Sequence, residues 1–212
     1  MEFLNVINKV LSKPRDFFVN IKKEKGIKNP LVFFIVFAVI LSFANSLYFY
    51  RVILKLKPQA MELTPILAFL AITLIYILNL SLTFLSTFLV SGITHLFVLL
   101  MKGKNGFHQT FKAVIYGDTP RYLVSILLSP IYIFVYPQFS ALKQKPPEFY
   151  FWFVPLMAVG IAVGFYALYL KIIGINKLQD ISAFRAFAAV FLLPAALVLL
   201  VGLIVFLIIF LL

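Results

Sequence analysis

Cysteine is absent from the 212 residues, which excludes disulfides and thiolate metal sites. Acid is scarce: seven Asp and Glu stand against 19 Lys and Arg, and charged residues make up only 12% of the chain. Soluble proteins are about a quarter charged, so a soluble domain is excluded. Ionisable residues are also missing from the depths of the apolar runs, which argues against a proton- or ion-coupled pump. There is no nucleophile elbow and no pair of carboxylates at helical spacing. Gly103-Lys104-Asn105-Gly106 lacks the length and the strand–helix context of a phosphate-binding loop. The two histidines, His95 and His108, come with no matching third ligand. Neither an enzyme, a cofactor nor a metal site is expected.

What the chain does have is apolar surface: 63% hydrophobic residues and a mean hydropathy of +1.06. These values place it among membrane proteins. Its formal charge of +12 is dispersed between apolar runs with no continuous patch, so nucleic acid is not an expected partner. Positive cytoplasmic loops in contact with anionic lipid account for it instead.

The expected fold is all-α, a polytopic membrane bundle of five transmembrane helices behind an N-terminal amphipathic arm. The arm, residues 1–28, reads as two short helices. Phe3, Leu4, Val6, Ile7, Val10 and Leu11 recur at helical spacing. Pro14 then opens a second helix carrying Phe17, Phe18 and Ile21, with Lys22, Lys23 and Lys25 crowded before Gly26. Both are too short and polar to span, and are expected to lie as anchors in the membrane interface. The membrane domain, residues 29–212, is expected to hold spans at about 29–50, 70–101, 122–142, 149–170 and 186–212. The uncharged stretch 63–101 is either one extended helix or a helix preceded by an interfacial segment. A turn within it is rejected because neither Gly nor Pro occurs between Ala68 and Ser91. Lys171 to Arg185 reads as a polar connection.

Lys and Arg set the expected orientation. The arm and the loops 102–121 and 171–185 hold most of them, whereas the opposite side has only Arg51, Lys55, Lys57, Lys143 and Lys145. The N-terminus is therefore expected in the cytoplasm and the C-terminus outside.

Three groups of residues are candidates for function. The first is the stretch from Lys102 to Arg121, the one sizeable polar interruption between long apolar runs. It offers a basic turn (Lys102, Lys104), glycines at 103 and 106, an aromatic anchor at Phe107, and then Tyr116, Asp118, Pro120 and Arg121. Asp118 and Arg121 are expected to form a cytoplasmic cluster with Asp180, Ser182 and Arg185 of the 171–185 connection. Asp118 or Thr119, and Ser182, also stand where helix N-caps would. The second group is a polar stripe within the second span, where Asn79, Thr83, Thr87, Ser91 and His95 recur every fourth residue and share a helix face. It either lines a hydrated cavity or packs against neighbouring helices, with hydroxyls bonded to their own backbone. The third is Gly160 and Gly164, a GxxxG pair for close helix approach within the chain or between copies.

The ordered motifs resemble the Yip domain family, the Rab-interacting integral membrane proteins. Lys13-Pro14-Arg15-Asp16-Phe17-Phe18, then Gly26 and Pro30, resembles that family's proline-aromatic entry to its first span. Gly103-Lys104-Asn105-Gly106-Phe107, then Thr110-Phe111, Tyr116 and Pro120, is similar to its glycine-Phe loop and Tyr-x-x-x-Pro start of the third span. Gly174, then Ile181-Ser182-Ala183-Phe184-Arg185-Ala186 and Pro194, is similar to its entry to the fifth. The resemblance implies a five-span membrane protein. Eukaryotic members act in vesicle traffic and associate with prenylated small GTPases and with one another. With only a short arm ahead of its first span, this chain looks like the compact prokaryotic members, in a prokaryotic cell membrane.

The residues and the resemblance together point to a non-enzymatic membrane scaffold or adaptor. Its cytoplasmic face would engage anionic lipid, a partner protein or a second copy. The competing reading is a small permease, channel or lipid-moving protein that uses the polar stripe.

Overall fold

A computed structural model describes residues 3–56, 65–135 and 147–211. Every regular element among them is helical. The order is α1 (Phe3–Ser12), α2 (Pro14–Ile21), α3 (Lys28–Leu56), α4 (Pro65–Leu100), α5 (Phe107–Gly117), α6 (Thr119–Phe134) and α7 (Pro147–Gln179). A last continuous helix, α8, starts as Ala183–Phe187, widens to a π-helical turn at Ala188–Leu192 and resumes as Leu193–Leu211. The wide turn sits just ahead of Pro194. A proline ring clashes with the carbonyl four residues back and offers it no N–H, and a π-turn gives that carbonyl room.

Among the described residues four helices are long and apolar enough to cross a membrane: Lys28–Ile53, Ile66–Leu100, Phe149–Gln179 and Ala183–Ile208. The expected third span corresponds to α6, whose described part is 16 residues long. Residues 136–142 of that span lie outside the described residues, as do 57–62 and 143–146 of the two connections on the opposite side.

Helix ends differ from the sequence-based expectation in two places, α3 and α7. The α3 helix runs on through Arg51 instead of stopping at Tyr50. The 63–101 stretch, expected either as one extended helix or as a helix behind an interfacial segment, holds one 36-residue helix from Pro65, about 54 Å long at 1.5 Å per residue. The larger difference is in α7, which continues through Lys171–Gln179 where a polar connection was expected. Ile173, Ile175 and Leu178 are buried on this extension, so protein rather than lipid covers its apolar side. The polar link that remains is Asp180 to Ser182.

The chain divides into two compact units. Unit 1 comprises residues 1–30, 88–119 and 167–212, and unit 2 comprises 31–87 and 120–166. The core of unit 1 holds Val10, Phe18, Ile21, Phe111, Ile115, Leu170, Ile175 and Leu178, each at most 2% exposed. The apolar faces of α1 and α2 are thus turned into protein at Val6, Val10, Phe17, Phe18 and Ile21, where lipid had been expected. Unit 2 packs through rings. Phe34 meets Phe84 edge-on at 5.0 Å, Phe37 stacks on Tyr122 at 5.0 Å, and Phe43 meets Tyr76 at 6.5 Å. Offset and edge-on pairs of this kind add about 1 kcal/mol beyond the area they bury.

Candidate functional site

The polar loops of unit 1 begin where α4 ends. Gly103 N–H donates to Val98 O at 2.8 Å and Lys102 N–H donates to Leu99 O at 2.9 Å. This double bond pattern closes a helix C-terminus around a left-handed residue. Here that residue is Lys102, with φ 64°, which projects its ammonium into solvent at the loop's start. Gly103 follows because a Cβ there would lie 2.4 Å from Val98 Cγ1.

The loop is held by a residue far along the chain. Gln179, fully buried, accepts from Asn105 N–H at 3.0 Å through Oε1, and its Nε2 donates to Thr110 Oγ1 at 2.8 Å and to Gly106 O at 3.3 Å. Thr110 Oγ1 also lies 2.9 Å from His95 Nδ1. Asn105 in turn donates to Leu178 O and, at 3.2 Å, to the Asp180 carboxylate. One amide therefore ties together the 102–106 turn, α5 and the end of α7.

The α5 helix is itself a core element, with every residue from Gln109 to Gly117 buried. Gln109 and Lys112 lie three apart on one face, and both reach the arm. Gln109 Nε2 donates to Lys22 O at 3.0 Å. Lys112, with no exposed surface, donates through Nζ to Ile21 O at 3.1 Å and to Glu24 O at 2.6 Å. Two carbonyls at and just beyond the end of α2 are thus held by a buried cation, Ile21 O accepting the Glu24 N–H as well at 3.1 Å. Burial lowers the Lys112 pKa and the nearby Glu24 charge partly offsets this. A few positions on, Tyr116 sets its ring edge-on to Phe17 at 5.0 Å, and burial raises its phenol pKa.

Two glycines let α5 lie against α7. A Cβ on Gly117 would come within 3.1 Å of the Lys171 backbone, and one on Gly174 would meet Ala113 Cβ and the Phe18 ring at 3.0 Å. Close helix approach was expected at Gly160 and Gly164. Among the described residues nothing lies within 4 Å of a Cβ at Gly160, and Gly164 meets only Arg121 Nη2, at 3.8 Å.

Each acid of the expected cluster is met by a lysine that the sequence did not single out. Asp118 pairs with Lys171 at 2.7 Å, and both are largely shielded. Asp180 pairs with Lys22 of the arm at 2.5 Å, across 158 residues of sequence. The Lys22 hydrogen bond is the main reason that the Asp180 carboxyl is held below its ordinary pKa, helped by Asn105 and Lys104. Ser182 caps the start of α8, accepting Arg185 N–H at 3.3 Å. Thr119 donates back to Tyr116 O at 2.7 Å, and Asp118 closes α5 instead of capping α6.

Of the residues expected to bind a partner, Lys102, Lys104, Gly106, Arg121, Asp180, Ser182 and Arg185 are exposed. Gly103 and Asp118 are half-buried, and Tyr116 and Pro120 are buried. Phe107 is also half-buried, its ring 5.8 Å from His95 and 5.9 Å from Phe111, so it braces the loop from inside. Lys9, Lys13, Arg15, Lys23 and Lys25 are exposed on the same unit, giving it a basic surface.

The sequence reading missed Gln179, Asn105, Gln109, Lys112 and Lys22. Lys112 did leave a signal, a lone cation inside the apolar run Phe111 to Tyr116. Gln179 left none, because its partners lie 69 to 74 residues away.

The polar stripe of α4 is occupied with its own helix over much of its length. Asn79 donates to Ile75 O at 2.9 Å and Thr83 to Asn79 O at 2.8 Å, while Thr87 is half-buried. Ser91 is buried and its hydroxyl makes no hydrogen bond among the described residues, and His95 ends the stripe on Thr110. Among the described residues no three His, Cys, Asp or Glu side chains converge as a metal site requires. The arrangement is a braced, basic surface suited to binding.

In comparison with known proteins, the family model described as the Yip1 domain matches residues 8–206. No curated protein and no solved structure matches the chain.

Proposed function

Because the chain belongs to the Yip1 domain family and is an integral membrane protein, we propose that it is a non-enzymatic scaffold or adaptor. Its basic polar face engages a partner protein or anionic lipid. The observation that carries this reading is the rigging of that face. Gln179, Lys112 and the Lys22–Asp180 pair fix the 102–106 turn, the arm and the end of α7 as one surface. Lys102, Lys104 and Arg185 stay exposed on it. A preorganised surface loses less conformational freedom on binding, and its charge favours acidic partners. In this reading Phe107 and Tyr116 shape the face from within, while Gly103, Gly106, Asp118, Asp180 and Ser182 complete it; Pro120 and Arg121 belong to unit 2.

The membrane arrangement that goes with it has five spans, with α6 as the third. The arm lies at the cytoplasmic interface, the N-terminus is inside and the C-terminus outside, in a prokaryotic cell membrane. Gly160 and Gly164 would serve contact with a second copy. A permease or lipid-moving role through the α4 stripe has less support, since Asn79 and Thr83 are spent on their own backbone.

A photo-crosslinking residue at exposed Lys104, used in native membranes, tests this. A protein adduct that disappears on Lys102→Gln with Arg185→Gln is expected for the adaptor. A lipid-only adduct selects the lipid-binding form, and no adduct at all overturns the proposal.

A further inference from the structure

Unit 2 contains a cavity of about 460 Å³ between α3, α6 and the start of α7. Its lining combines two helix faces that are polar at helical spacing. From α3 come Asn45 and Tyr48, and from α6 come Ser125, Ser129 and Tyr132, over an apolar floor of Ile133 and Phe153. Ser129 spends its hydroxyl proton on Ile126 O at 2.8 Å. The Asn45 carboxamide and the Ser125 hydroxyl are exposed into the cavity and make no hydrogen bond among the described residues. Asn45 lies in the C-terminal half of the candidate span Lys28–Ile53, where an unpaired amide is costly. The cavity's size and mostly apolar lining match a site for a small amphipathic molecule.

One turn beyond Tyr48, exposed Arg51 lays its guanidinium over the Phe134 ring at 5.0 Å. A guanidinium stacked this way keeps its N–H edge for an anion. Among the described residues no carboxylate lines the cavity, so the charge this edge would meet belongs to the occupant.

We propose that this cavity holds one glycerophospholipid. The phosphate bonds to Arg51, the glycerol-ester oxygens accept from Asn45 and Ser125, and one acyl chain lies over Ile133 and Phe153. Tyr48 and Tyr132 flank the ester level, where amphipathic rings are at home in membranes. This site is separate from the basic face of unit 1 and uses none of its residues.

Native mass spectrometry of the full chain, released from detergent and titrated with phosphatidylglycerol or with diacylglycerol of the same chains, tests it. The wild type retains one phosphatidylglycerol in preference to diacylglycerol. Asn45→Leu with Ser125→Ala weakens retention about tenfold, the worth of roughly one hydrogen bond. Arg51→Gln removes the preference for the phosphate. Ser125→Phe, which fills the cavity from an exposed position, gives an independent check by excluding the lipid. Equal retention by wild type and the Asn45/Ser125 variant, equal retention of the two lipids, or no retained lipid overturns the proposal.

Discussion

The two units use the same few polar residue types in opposite ways. In unit 2, Ser46, Thr73, Asn79, Thr83, Ser86 and Ser129 each bond a carbonyl three or four residues back on their own helix. Such bonds satisfy the side chain and hold nothing else. In unit 1, Gln179, Asn105, Gln109 and Lys112 bond groups 69 to 91 residues away. The rings of unit 2 supply what its polar groups do not, so its helices are joined by aromatic contact. Polar content alone therefore does not pick out the braced face of unit 1. The reach of the hydrogen bonds does, because long-range polar bonds fix loop geometry that apolar packing leaves loose.

This contrast breaks most visibly at its hub. Gln179→Leu removes three hydrogen bonds and leaves buried Thr110 and the Asn105 N–H short of partners. A loss of about 3 kcal/mol is expected, measured as a lower midpoint in denaturant unfolding in mild detergent. Lys112→Met keeps the side-chain bulk but removes the ammonium from Glu24 O and leaves Ile21 O with the Glu24 N–H alone. It should cost about 2 kcal/mol and open the 22–26 segment to trypsin, which has Lys22, Lys23 and Lys25 to cut there.

A smaller effect comes from pH. The Asp180 carboxyl is held below its ordinary value by Lys22, so its contribution is present above about pH 3.9, the unfolded value. It is lost as pH falls through the lower folded value. Trypsin is inactive there, so arm release is read by pepsin cleavage within residues 3–21, increasing as the medium is acidified below about pH 4. Asp180→Asn removes the dependence. Because both partners are substantially exposed, the change is modest. The smallest effect belongs to unit 2: Thr83→Val changes stability by about 0.5 kcal/mol or less, since its hydroxyl only bonds back to Asn79 O. A loss as large as that of Gln179→Leu would erase the distinction between the units.

The helices themselves were legible from the apolar runs, since lipid admits little else. Their ends were less so. Lys171 and Lys177 look like the start of a loop, yet α7 continues past them because Lys171 finds Asp118 and the apolar residues around it find protein. The repeated pair Gly160 and Gly164 reads as a place for close approach within the chain or between copies, but among the described residues of one chain the close approaches of α5 to α7 lie at Gly117 and Gly174. At a crossing one missing Cβ suffices, and a single glycine carries no pattern. The loop residues 102–106 were visible as an interruption, while their support was not. Gln179, Lys112 and Lys22 act across the fold, and nothing local marks their partners. Phe107 shows the same limit: an aromatic in a polar loop reads as an anchor for something outside, and here it packs on His95 and Phe111.

The central claim is that the arm, the 102–118 loop region and the end of α7 form one polar-braced block. Hydrogen exchange followed by mass spectrometry, on wild type and Gln179→Leu in lipid nanodiscs, tests it most directly. The account predicts that exchange rises together in residues 13–28, 102–118 and 174–182, while α3 from Leu31 onward keeps its protection. A rise confined to residues 102–110, with the arm unchanged, would contradict it.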